Sequence, residues 1–198
     1  MKSLQRVINA FRKLPGVGPR QAERFALYLL RTSESQAAEF TQAILDMRLK
    51  IGCCPKCFAY SENASLCEIC SDDTRDPSLL CIVEEPKDIE ALEKTKSYNG
   101  YYHVLHGSIS PIEGRTAGDL KLKELLERVE SEKDILKEII IATNPDTEGQ
   151  TTALYLADML RETGPKITRL GYGMPLGGNL DYIDEMTLSH ALKGRTKL

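Results

Sequence analysis

No stretch of this 198-residue sequence approaches the roughly 18 consecutive apolar residues that a membrane-spanning helix needs. Internal repeats and low-complexity tracts are absent, and the 14 glycines and 9 prolines are spread along the chain rather than massed, which excludes fibrous and disordered classes. The opening residues Met1 to Arg6 carry no apolar core of a secretory signal. The expectation is a cytoplasmic globular protein with no membrane partner. Positive charge is also short overall, with 26 Lys and Arg against 29 Asp and Glu, a net charge of −3. The shortage is local: residues 1–52 hold nine basic and four acidic side chains, whereas residues 53–198 hold 17 and 25. An acidic pI therefore leaves room for an anion-binding face at the N-terminus.

With 41% hydrophobic and 28% charged residues, the length suits one ordinary domain, or two small ones plus a module. Leu4, Val7, Ile8, Phe11 and Leu14 recur at helical spacing, with Ser3 as the expected N-cap, and this first helix stops at Pro15-Gly16. A second helix is expected from Pro19 through Leu30, and a third over about Ser35 to Ile51 with Phe40, Ile44, Leu45 and Leu49 inward. A compact cysteine segment follows, then the polar stretch Ser71 to Pro77, the clearest expected domain boundary. Beyond it, short apolar runs alternate with helical periods, as in βαβ units on a parallel sheet. Strands are expected at Leu79–Val83, Tyr101–Leu105, Ile139–Ala142 and Lys166–Leu170. Helices are expected at Asp88–Lys96, Leu120–Val129, Thr151–Thr163 and Asp184–Leu192.

Cys54-Pro-Lys-Cys57 and Cys67-Glu-Ile-Cys70 are two C-x2-C knuckles nine residues apart. Each presents two thiolates from one tight turn, and together they supply the four soft ligands of a closed, structural zinc site. Disulfides are rare in the cytosol, so metal is the preferred reading. Cys53 would break the x2 spacing and is expected to be an unliganded neighbour, while Cys81 sits in an apolar strand run as a small buried hydrophobe.

Leu14-Pro15-Gly16-Val17-Gly18-Pro19-Arg20 joins two amphipathic helices. Gly16 and Gly18 permit positive φ and close backbone approach, so amides at the next helix's N-terminus can meet a phosphate. Arg20 and Arg24 share one face of that helix and can flank the same backbone. A glycine turn between packed helices is the bland reading. Seven basic residues against one acidic over residues 1–33 favour DNA, gripped without sequence preference.

Glu84 ends one predicted strand, and Asn144-Pro145-Asp146-Thr147-Glu148-Gly149 follows another. Carboxylates at neighbouring strand ends can hold magnesium for phosphoryl transfer. Solvated loop acids and helix caps are the alternative. Asn144 stands where a paired-aspartate site wants its first acid, leaving Glu84, Asp146 and Glu148 with at most a weak magnesium site.

These motifs occur in one order together with His106-Gly107-Ser108-Ile109-Ser110-Pro111 and the tail Gly173-Met174-Pro175-Leu176-Gly177-Gly178-Asn179-Leu180-Asp181-Tyr182. In that order they resemble the RecR family of bacterial recombination mediators over essentially the whole chain. The resemblance implies a helix-hairpin-helix domain (1–52), a small four-cysteine zinc finger (53–71), a Toprim-like parallel-sheet α/β domain (78–173) and a C-terminal tail and helix (174–198) used in oligomer contacts. It implies a non-enzymatic, nucleoid-associated protein that binds single-stranded and gapped DNA as a ring-like tetramer. RecO and RecF would be its partners in loading RecA onto SSB-coated strands. Arg20 and Arg24 match the family's DNA-binding basic residues, and Glu84, Asn144, Asp146 and Glu148 would form a partner surface. Asn179 stands where the pattern has Asp. Two other classes compete: a small magnesium-dependent Toprim nuclease or primase-like enzyme, and a zinc-stabilised interaction module that does not touch DNA.

Overall fold

The computed structural model describes residues 1–171, 173–174, 177 and 179–195. Of the tail motif, Pro175, Leu176 and Gly178 lie outside the described residues, as do Tyr172 and positions 196–198. Two compact units are formed, Met1–Ile51 and Gly52–Leu198.

The first unit is helical: α1 (Lys2–Phe11), α2 (Pro19–Arg31) and α3 (Glu34–Lys50). Helix α1 is capped at Met1 rather than Ser3 and ends before Leu14, which lies in the following turn. Pro19 opens α2, as its fixed φ and missing N–H suit a first helical turn. The pair α1 and α2 packs through Phe11 and Phe25, edge to face at 5.7 Å, with Ala22 and Ala26 buried beneath. Helix α3 starts at Glu34, one residue ahead of the expected Ser35, because Ser33 and Gln36 cap each other reciprocally. The inward placement expected for Phe40, Ile44, Leu45 and Leu49 is not found. Each is at least 45% exposed, and no residue of α3 is buried. At about 100° per residue, Phe40, Ile44 and Met47 fall on one side of the helix and Leu45 and Leu49 on another, so one packed face cannot cover both.

The second unit begins with the short strands β1 (Ile51–Cys53) and β2 (Tyr60–Glu62), which pair with each other around the first cysteine knuckle. A four-stranded, all-parallel sheet follows: β3 (Asp76–Val83), β4 (Gly100–Val104), β5 (Glu138–Ala142) and β6 (Lys166–Arg169), in the order β4-β3-β5-β6. Between and after them come α4 (Pro86–Glu93), α5 (Leu122–Glu132), α6 (Thr147–Met159) and α7 (Glu185–Lys193). The central strands are near-continuous apolar runs because a parallel sheet covered on both faces has no polar side to present. Leu80, Ile82, Val83, Val104 and Ile139 are fully buried, and Cys81 lies among them, its thiol pKa pushed up to about 12 by burial. Helix α6 starts at Thr147, four residues earlier than expected, since Asp146 accepts from the Gly149 amide and caps it there.

The polar stretch 71–77 lies within the second compact unit and is held there by hydrogen bonds. Arg75 lies within it and donates to Glu93 Oε1 and to the Gly100 carbonyl, each at 3.0 Å, and the Tyr101 hydroxyl donates to Asp72 O. Its last residues, Asp76 and Pro77, already belong to β3. Among the described residues, no helix is long and apolar enough to cross a membrane.

Candidate functional sites

The cysteine cluster is set by two backbone turns. The Cys54 amide donates to Ala59 O and the Phe58 amide to Cys54 O, closing the first knuckle, and Ser71 N donates to Cys67 O to close the second. All four sulfurs, of Cys54, Cys57, Cys67 and Cys70, lie within 4.8 Å of one another, with Cys57 Sγ and Cys67 Sγ 3.5 Å apart. That separation is far beyond a disulfide bond, and all six cysteines are free. Hydrogen bonding to Cys67 pushes the Cys57 thiol up to about 12, neighbouring Cys57 and Cys67 raise Cys70, and the same contacts pull Cys67 down. Four such groups cannot all ionise without a cation among them, so the cluster can bind a metal such as zinc. Cys53 is not one of this group; its sulfur lies 3.8 Å from His106 Nε2. The knuckle is also tied to the sheet. Val104 N donates to Cys57 O, and the buried Arg128 gives Nη1–H to Tyr102 O and to Lys56 O. The sequence signal for Arg128 is its place three positions after Leu125 and one before Val129, both buried.

On the first unit, the turn carries Gly16 at φ +75°, which only glycine adopts readily, while Gly18 is extended and serves as the N-cap of α2. The positive φ expected at both positions is found at Gly16 alone. The first intrahelical bond here runs from Ala22 N to Gly18 O, so the amides of Arg20 and Gln21 point out of the helix end. Arg20 and Arg24 are exposed and line a shallow groove of about 400 Å³ with Glu23, Leu27, Tyr28 and Arg31. Among the described residues, no carboxylate forms an ion pair with Arg20, Arg24 or Arg31. Arg31 extends the cationic stripe by two turns; its spacing from Arg24 was visible in the sequence.

At the carboxyl end of the sheet, Val83 pairs with Ala142, and this register sets Glu84 beside the loop after β5. Glu84 is only 5% exposed. Asn144 N donates to Glu84 Oε1 at 2.9 Å and Asn144 Nδ2 to Glu84 Oε2 at 2.5 Å. Burial pushes the Glu84 carboxyl up, the two Asn144 bonds pull it down, and Asp146 and Asp88 raise it again. Gly149 is packed against this pair: a Cβ there would collide with Asn144 O and stand 2.7 Å from Glu84 Oε1. Asp146 Oδ1 accepts from Gly149 N at 2.7 Å. Glu84, Asp146 and Glu148 are not gathered as ligands. Among the described residues the four cysteines form the only group of three or more His, Cys, Asp or Glu able to hold a metal. As arranged, then, the residues do not fit the divalent cation expected of such a crevice. Of the acids in the expected partner surface, Glu84 is buried, Asp146 exposed and Glu148 half-buried. The sequence pointed to Asn144 as a missing charge, and its positive role as a donor to Glu84 needed the register of β3 on β5.

Three family models match the chain in order. One described as RecR, helix-hairpin-helix, covers residues 4–48; a Toprim domain covers 78–171; and one described as RecR, C-terminal, covers 173–196.

Proposed function

The chain belongs to the RecR family, and from that premise we propose that it is a non-enzymatic recombination mediator. In this reading it binds single-stranded and gapped DNA as a ring-like tetramer and acts with RecO and RecF to load RecA onto SSB-coated strands. The observation that carries the DNA part is the exposed Arg20–Arg24–Arg31 face beside the outward amides of α2, on the one unit with a basic surplus. Cations on one helix face, next to free backbone donors, suit phosphates and read no bases. The cysteine cluster serves as a structural zinc site, since four protein ligands leave no position for a substrate. Asp146 and Glu148 supply acidic contacts for a basic partner surface on RecO, in keeping with the acidic surplus of residues 53–198. Absence of catalysis is supported by Glu84, whose oxygens both accept from Asn144 and leave no carboxylate pair to position a metal on a phosphate.

The test is binding to gapped DNA over a salt series. Affinity should fall steeply with salt for any sequence, and Arg20→Ala with Arg24→Ala should flatten the logarithmic slope by about one charge each. An unchanged affinity and slope in the double variant would remove this face from the DNA site. Glu148→Lys should weaken RecO binding and RecA loading while leaving DNA affinity as it is. Magnesium-dependent cleavage or priming by the protein alone would establish the enzyme class instead.

A further inference from the structure

The crevice at the ends of β3 and β5 has the topology of a cation site and the hydrogen bonding of something else. We propose that the amide of Asn144 stands in for the divalent cation, joining the two strand ends through Glu84 so that the crevice is complete without a metal.

A cation between neighbouring strand ends has a structural as well as a chemical task, because it lets carboxylates face one another without repulsion. Here one of the two facing groups is neutral and donates. Asn144 offers its backbone N–H to one oxygen of Glu84 and its side-chain N–H to the other. A buried carboxylate needs such partners, and with both oxygens engaged Glu84 is satisfied internally. The surroundings support the clasp at each position. Gly149 lets the first turn of α6 pack directly on Asn144 and Glu84, where any Cβ would collide. Thr143 Oγ1–H donates to Gly149 O, and Gly107 N donates to Glu84 O, so the ends of β4, β3 and β5 and the start of α6 are all linked around the pair. Asp146 has one oxygen committed to capping α6. Magnesium keeps several waters and needs carboxylate oxygens free to coordinate, and both oxygens of Glu84 already accept hydrogen bonds here. The inference is independent of the mediator reading, because it is read in stability and ion binding rather than in DNA or partner contacts.

Thermal unfolding of the zinc-loaded protein at matched ionic strength tests it. The wild-type midpoint should be the same in magnesium chloride as in sodium chloride. Asn144→Asp sets a carboxylate against Glu84 and should lower the midpoint by about 5 °C or more, with millimolar magnesium recovering most of the loss. Asn144→Asp combined with Glu84→Gln removes the facing charges, and the magnesium response should vanish with them. A wild-type midpoint that rises in magnesium, or an Asn144→Asp variant unaffected without it, would overturn the proposal. Should Asn144→Asp not fold in any buffer, manganese titration of the zinc-loaded wild type followed by electron paramagnetic resonance decides. No bound manganese at millimolar concentration upholds the clasp, and one tightly bound ion per chain overturns it.

Discussion

His103 is a titratable side chain that the fold holds away from water. It sits in the middle of β4, fully buried, with Nε2 2.8 Å from Lys121 O and Nδ1 without a partner. A carbonyl only accepts, so Nε2 carries a proton, and a second proton on Nδ1 would be buried without an acceptor. Burial holds its pKa down to about 4, against 6.5 for an ordinary histidine, with the nearby Arg128 acting in the same direction. Between those values the unfolded chain binds a proton that the folded chain refuses. The contribution is therefore complete above about pH 6.5 and is lost as pH falls toward 4, by up to about 3 kcal/mol. Urea unfolding midpoints measured from pH 7 down to 4.5 should fall for the wild type, and His103→Gln should flatten that decline. Parallel profiles for the two proteins would show that the histidine is not buried in its neutral form.

At the scale of elements, the cysteine segment is a pair of turns with almost no secondary structure of its own, built around four sulfurs that can hold a metal. The two strands beside it have three residues each, too little to stand alone in water. One zinc per chain is the expected metal content, and Cys67→Ala should lose it. Because Val104 and Arg128 bond the first knuckle to β4 and α5, the loss should spread into the sheet, with hydrogen-exchange protection falling first at Val104 and around Cys54–Ala59. A Cys67→Ala protein that keeps its zinc and its protection would refute the four-thiolate assignment. The element boundaries show the same dependence on local chemistry. Two of the helix starts that differ from expectation, capped by Ser33 and Asp146, belong to side chains that accept from a helix amide three residues on. The Ser33-to-Gln36 spacing is present in the sequence, but the apolar period sets in later and by itself marks a later boundary.

On the scale of the whole molecule, the chain leaves a set of apolar side chains without cover. Phe40, Ile44, Leu45, Met47 and Leu49 of α3 are all exposed, on more than one side of the helix. Burying them would contribute roughly 25 cal/mol for each Å² removed from water, which makes α3 a strong candidate for a contact between copies. Light scattering after size exclusion should show a lower mass for Ile44→Asp with Leu45→Asp than for the wild type, with the zinc content of the two equal. An unchanged mass would move the oligomer contact away from α3.

The sequence alone determined those features that depend on spacing and residue type. Two C-x2-C pairs bring four thiols together in whatever way the rest folds, apolar runs without alternation demand a sheet covered on both faces, and a proline followed by an arginine stripe makes a basic helix start. Tertiary structure decided whatever depends on which strand lies beside which. The β4-β3-β5-β6 order puts Glu84 against Asn144 and turns an apparent charge deficit into a hydrogen-bonded pair. Packing likewise decided the pairing of Arg75 with Glu93 across 18 residues, which composition could not reveal. The physical reason is common to both: periodicity and ligand spacing are local, whereas the partner of a buried polar group is chosen by packing.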